Sequence, residues 1–386
     1  MSKLKISVER IHLNNLVAFA EKAENDPHHY GALPITQVRA AAQEKNPSAS
    51  PDDISLIVAY HENKCIGYLG ILPCQLECHG DLQKIYALTT FYVVEEYRKT
   101  CAALAIMQDA IALNYDFLLA GFTPSAERFY RRHDEWFDYI GVLPYNRIHL
   151  YPTVSLLWML KERLPFLSII TNALQILNSL AGSLGFRFLT YYMIRPSQRN
   201  RCADLDFRKI ERIEEVAGVA QRSKSENRPK FYRGESIINW MIQHPWINER
   251  SGEPSSYEFS HYRDLFRFLA YEIFNNATEK QVGYMILSVS RKNELTVMKI
   301  LDFEFEDDVH LECILNLTLR EAYRWKVDII DGPADFWGII NSHKLLKLIA
   351  QRKQRGYFIH RSSNSAFSDD PQDLILNFCD GDTAFT

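Results

Sequence analysis

The sequence predicts an α/β protein, in which a mixed-sheet α+β arrangement occurs in two tandem domains, and three observations support this. Strand and helix signals alternate through the first 150 residues, and the same order of signals returns in the second half. Val282-Gly283-Tyr284 stands 216 positions after Ile66-Gly67-Tyr68, at the same place in a matching hairpin pattern. That distance is a domain duplication rather than a solenoid repeat. At 386 residues the chain exceeds one ordinary core. The expected division is 1–150, a hydrophobic helical connector over 151–200, and 201–386.

Each element follows from its pattern. Residues 4–10 alternate, as a half-buried strand does, while 14–24 and 36–45 carry helical spacing. "ISLIVAYHENKCIGYLGIL" (54–72) holds two apolar runs around the polar turn His61 to Lys64, a hairpin. "IYALTTFYVV" (85–94) is β-branched and aromatic, hence a strand. A helix opens within "VVEEYRKTCAALAIMQ" (93–108), followed by a strand at 116–122, a helix at 125–133 and a strand pair from Phe137 to Leu150. In the second half, 269–289 reads as a hairpin, 295–306 as a strand and 309–325 as a helix. A strand at 327–333 and a helix at 339–351 complete the plan, and a last strand is expected in "LILNFCDGDTAFT".

Between the halves, "LLWMLKERLPFLSIITNALQILNSLAGSLGFRFLTYYMI" (156–194) has no charged residue from Phe166 to Phe186. This approaches the length of a membrane span. Asn172, Gln175 and Asn178 sit mid-run, and Pro165, Gly182 and Gly185 interrupt it. These favour an amphipathic connector, packed on the protein or lying peripherally on a membrane surface, over a span.

Composition narrows the function. A net charge of −4 supplies no basic footprint, so nucleic acid is not expected as a partner. Seven scattered cysteines do not form a disulfide pattern, and the start MSKLKISVERI lacks an export signal, so a reducing cytoplasm is expected. Cys74, Cys78 and His79 lack a second ligand pair at zinc spacing, and no metal is expected. The tail's Asp380-Gly381-Asp382 reads as a turn rather than a cation site.

The chemistry points to 92–103. A helix start leaves backbone N–H groups unpaired and carries the positive end of the helix dipole. Phosphate binds there when side chains are small enough to let it in. Arg98 and Lys99 add charge, Thr100 suits a cap, and Cys101, Ala102 and Ala103 are all short. Tyr92, Val93 and Val94 form the strand end just before.

The order β-α-α-β-β-β-α-β-α-β, together with "VVEEYRKTCAALA", resembles the GCN5-related N-acetyltransferase (GNAT) superfamily. Arg98 and Ala103 match its acyl-CoA loop, Cys101 replaces a usual Gly, and Glu95 stands where Pro is frequent. "SAERFYRRHDEWFDYIG" (125–141) is similar to the superfamily's tyrosine helix and following strand, with Ala126 and Tyr130 matching and Thr123 where Asn is common. The resemblance covers 54–141, and 1–53 by element order. It implies acetyl-CoA as acyl donor bound by 92–103, a small amine or amino sugar as acceptor, a strand N–H for the oxyanion and Tyr130 as general acid. A phenol near ~10 facing a thiol near ~8.5 makes that proton transfer feasible.

No carboxylate stands on 85–94 to act as base; Glu77, His79, Asp81, Glu95, Glu96 and His133 read as surface residues. In the second copy the matching turn carries Glu304, Glu306, Asp307, Asp308 and His310. Those carboxylates would repel phosphate by roughly a kcal/mol each. One competent copy and one degenerate copy are therefore expected. Tyr232, Arg233, Trp240 and Trp246 are candidates to line an acceptor cleft. Two alternatives stand: an aminoacyltransferase of the peptidoglycan-branching type, and a non-catalytic binding module.

Overall fold

The computed structural model describes residues 5–26, 28–150, 202, 204–213, 228–249, 257–293, 295–305, 311–367, 370 and 373–383. The connector expected over 156–194 lies outside them, as do 306–310 of the acidic turn. Among the described residues, no helix is long and apolar enough to cross a membrane.

The chain forms two compact units. Unit one combines Met1–Leu143, Lys224–Tyr262 and Arg355–Thr386, and unit two combines Pro144–Ser223 and Arg263–Gln354. The sequence reading placed 224–262 and 355–386 in the second domain; the packing groups both with the first.

In unit one the strands are β1 (Ser7–His12), β2 (Ile54–His61), β3 (Lys64–Cys78), β4 (Asp81–Val93) and β5 (Phe117–Ala120). They lie in sequence order, antiparallel except for parallel β4–β5, and the next strand is β13 (Ala350–His360), antiparallel to β5, of which Arg355–His360 belong to this unit. The short β8 (Lys230–Phe231) pairs with β3. The interior strands are buried on both faces: in β2, Ile57 and Ala59 turn to one side, Leu56, Val58 and Tyr60 to the other. Helices α3 (Ala102–Ile111) and α4 (Pro124–Arg132) cover the first side. On the other side lie α1 (Leu13–Asn25) and α2 (Gln37–Glu44). In α1 the buried residues Leu13, Leu16, Ala20 and Ala23 keep helical spacing, and Thr36 caps α2 by accepting the Arg39 N–H. Helix α5 (Glu235–Gln243) buttresses α2, its Trp240 Nε1 donating to Ala42 O at 2.7 Å.

Unit two repeats the plan. Its strands run β6 (Asp138–His149), β12 (Ile329–Pro333), β11 (Leu295–Phe305), β10 (Gln281–Lys292), β9 (Leu265–Asn275) and β7 (Leu205–Ile210), with β11–β12 parallel; of β6, Pro144–His149 belong here. Helix α6 (Leu311–Arg324) covers this sheet, and the helix expected at 339–351 is split into α7 (Trp337–Ser342) and α8 (Lys344–Ile349).

The third strand of each hairpin set is bulged at the matching place. On β4, Tyr92 faces Tyr68 and Thr89 faces Gly70, one residue too many for β3; on β11, Asp302 faces Ile286 and Ile300 faces Leu287. The two aligned glycines share a cause. A Cβ on Gly67 would lie 2.9 Å from Tyr92 O, and one on Gly283 would lie 2.3 Å from Glu304 O.

Three expectations are corrected. The strand pair from Phe137 to Leu150 is one strand, β6. The last strand is β13 rather than the tail, whose Asn377–Asp380 stretch is a turn closed by Asp380 N–H to Asn377 O. Finally, Cys202 and Cys313 form a disulfide, leaving Cys65, Cys74, Cys78, Cys101 and Cys379 free.

Candidate active site

Strand β5 pairs with β4 only at Tyr86–Leu88, so the far edge of Thr89–Val93 has no strand partner among the described residues. Val94 N–H donates to Ile66 O at 2.9 Å, which makes Gly67 and Val93 a pair that exchanges no hydrogen bonds. The Val93 N–H and C=O therefore both point away from β3, toward that edge. The bulge holds Thr90 at φ 46°, a left-handed conformation costly for a β-branched residue.

A single 3-10 turn, Glu95–Tyr97, leads from β4 into α3. The helix begins at Ala102, later than Arg98–Thr100, and Cys101 is its cap position with φ −80°. That ordinary negative φ explains why a non-glycine residue fits here. Thr100 Oγ1 donates to Tyr97 O at 2.7 Å and accepts the Ala102 N–H at 3.2 Å. Among the described residues, the N–H groups of Lys99, Cys101, Ala103 and Leu104 have no hydrogen-bond acceptor. Arg98 lies beside them: its Nε donates to Val93 O at 3.0 Å, and its guanidinium sits 5.5 Å from the Tyr92 ring centre. Lys99 is exposed, as is Cys101. Arg10 grips Asp109 of α3 through two nitrogens at 2.8 and 2.9 Å, holding the helix against β1.

Tyr130 lies in the same apolar layer as Val93 and Ala102. Thr123 caps its helix by accepting the Ala126 N–H, with Pro124 at the first turn. The rings of Phe122, Phe129, Phe137 and Phe358 surround it at 5.2 to 5.9 Å. Burial raises its pKa well above the ordinary phenol value. The sequence-predicted residues are thus brought together: Tyr92, Val93 and Arg98 touch, the 99–103 amides adjoin them, and Tyr130 lies in the layer beneath.

Two of the surface groups considered as bases are engaged elsewhere. Glu77 pairs with Lys230 at 3.6 Å, and His133 stacks on Trp136 while bonding Glu135. Glu258, which sequence reasoning missed, accepts from Tyr92 Oη of β4 at 3.1 Å. Arg39 of α2, also missed, reaches β4 as well. It is 3% exposed, donates to Thr89 Oγ1 at 3.0 Å and to Tyr257 Oη at 3.3 Å, and lies 4.4 Å over the Trp246 ring. The Asp382 carboxylate stands 3.6 Å from the nitrogen that bonds Thr89. Of the cleft candidates, Trp240 and Trp246 are buried within unit one, and Arg233 pairs with Asp380 at 2.6 Å. No local pattern flags this group, because its members come from four distant stretches of chain.

No family model matches the chain, and no curated protein matches it in sequence. Solved structures do. A GCN5-related N-acetyltransferase from Anabaena variabilis is 13% identical, with a TM-score of 0.50 over 92% of this chain and 72% of that one. The chain has the GNAT fold. An N-myristoyltransferase from Saccharomyces cerevisiae, solved with bound myristoyl-CoA, is 10% identical, with a TM-score of 0.50 over 97% of this chain and 86% of that one. These likenesses agree with the α/β class and with the fold expected from the loop and the tyrosine helix.

Proposed function

We propose that unit one of this GNAT-fold chain is an acyl-CoA-dependent N-acyltransferase, which moves an acetyl group from acetyl-CoA to an amine of a small molecule or amino sugar. One juxtaposition carries the reading: the unpaired Val93 edge of β4 stands beside the free amides that open α3, with Arg98 between them. A helix start with free N–H groups and an adjacent cation suits a diphosphate. The outward Val93 N–H is placed to donate to charge developing on a thioester oxygen. The free amine nitrogen attacks the thioester carbon, the C–S bond breaks, the sulfur leaves as thiolate, and the surplus proton on nitrogen passes to solvent as the amide forms. Tyr130, kept protonated by burial, serves as a hydrogen-bond donor to that thiolate.

The yeast structure's myristoyl-CoA favours a second reading of the donor, in which the acyl chain is long. Calorimetric titration of acetyl-CoA, followed by thiol release with a panel of primary amines, tests the main reading. Binding and amine-dependent release are expected; no binding at millimolar acetyl-CoA removes it. Displacement of acetyl-CoA by equimolar myristoyl-CoA selects the longer donor.

A further inference from the structure

We infer that Arg98 is a latch on the Val93 carbonyl that selects the donor: it covers that edge of β4 against thioesters without a diphosphate and yields it to those that carry one. This rests on the acyltransferase reading above. The N–H and C=O of Val93 point to the same side, away from β3, and among the described residues no strand pairs there. With a thioester oxygen on the Val93 N–H, the amide that follows the sulfur in an acyl-CoA arm comes level with the Val93 C=O. An extended, amide-bearing ligand at an open strand edge gains affinity from pairing of this kind. That carbonyl is where Arg98 Nε already donates, at 3.0 Å. A nitrogen at this distance stands where the N–H of a neighbouring strand would stand, so side chain and arm compete for one place.

The latch is seated from behind. The Arg98 guanidinium lies 5.5 Å from the Tyr92 ring centre, within cation–π range. Tyr92 Oη in turn donates to Glu258 at 3.1 Å, and burial together with that carboxylate raises the phenol's pKa, so it stays protonated and keeps the bond. Glu258, Tyr92, Arg98 and Val93 thus form a continuous chain of contacts that ends on the reacting edge. What opens it is the charge of the ligand. A guanidinium forks onto a phosphate with bidentate, charge-assisted bonds, which outweigh a bond to a neutral carbonyl. The free amides of Lys99, Cys101, Ala103 and Leu104 receive a diphosphate beside the same turn. A diphosphate therefore draws Arg98 from Val93 and uncovers the carbonyl for the arm. A pantetheine thioester brings the same arm without that charge and meets the carbonyl covered.

The test uses the full chain with acetyl-CoA and S-acetylpantetheine as probes, and reads the binding of each by ligand-observed NMR up to millimolar concentrations. Arg98→Ala is expected to move them in opposite directions. Acetyl-CoA should bind about tenfold or more weakly than to the wild type, for want of the charged contact. S-acetylpantetheine should bind about fivefold more tightly, the worth of a hydrogen bond that no longer has to be broken. Lys99→Ala, which removes the neighbouring charge, should weaken acetyl-CoA alone. S-acetylpantetheine bound no more tightly by Arg98→Ala than by the wild type, absence of binding included, overturns the inference. An equal gain in Lys99→Ala would make the effect one of net charge rather than of the Val93 contact, and equally overturns it. Absence of acetyl-CoA binding by the wild type removes the acyltransferase reading and the inference with it; that failure shows in the wild type, whereas a failed latch shows only in Arg98→Ala.

Discussion

Cys101 stands where the superfamily's loop usually carries Gly, and its φ of −80° makes that substitution sterically neutral. What the position must do is leave amides uncovered, and the short side chains from 101 to 103 do so. Arg98 and Tyr130 act at the same scale by different means. Arg98 contributes charge at an exposed turn. Tyr130 contributes a phenol whose raised pKa makes full proton transfer to a thiolate uphill, so its value is a hydrogen bond. Tyr130→Phe should therefore slow turnover about tenfold or more, as an order of magnitude for one lost hydrogen bond to a charged group, with acetyl-CoA affinity nearly unchanged. Steady-state kinetics beside calorimetry reads both, and unaltered turnover excludes the role. Both residues were legible in the sequence because a loop and a capped helix are local patterns. Arg39 and Asp382 were not, since a buried cation and its carboxylate 343 positions away leave no local trace.

At the scale of elements, the bulge on β4 sets the site. It diverts the strand from β5 and turns Val93 outward, and Gly67 leaves room for the crowded Tyr92 carbonyl. Gly67→Ala should cost about 1–3 kcal/mol, as overpacking does, and Gly283→Ala a similar amount at the matching place in unit two. Gly31→Ala, where a Cβ meets nothing within 4 Å, is the neutral control. Denaturant midpoints check all three; equal midpoints for Gly67→Ala and Gly31→Ala would contradict the crowding. Hairpins and amphipathic helices were readable because their apolar periods are strong. Strand β13 was missed because "QRKQR" hides its alternation, while Tyr357, Phe358 and Ile359 are buried on both faces. The tail looked like a strand because Leu374, Leu376 and Phe378 alternate, yet Asp380 closes it as a turn.

At the scale of the whole molecule, the duplication is visible in two units with the same strand order and the same bulge, although each unit draws on separated stretches of chain. Element order made the duplication readable. The reassignment of 224–262 and 355–386 to unit one was not readable, because long-range packing decides it. The disulfide from Cys202 to Cys313 closes a loop of 111 positions within unit two. Cys202→Ser should lower stability by up to about 5 kcal/mol in the loop-entropy view, read as a fall in the denaturant midpoint that reductant reproduces in the wild type. The central claim is that the start of α3 and Arg98 hold the diphosphate of an acyl-CoA. Calorimetric titration of acetyl-CoA into the wild type and Arg98→Glu tests it most directly. Binding by the wild type, its loss in Arg98→Glu, and an unfolding free energy changed by less than about 1 kcal/mol are the results expected for an exposed charge. Equal binding by both proteins would contradict it.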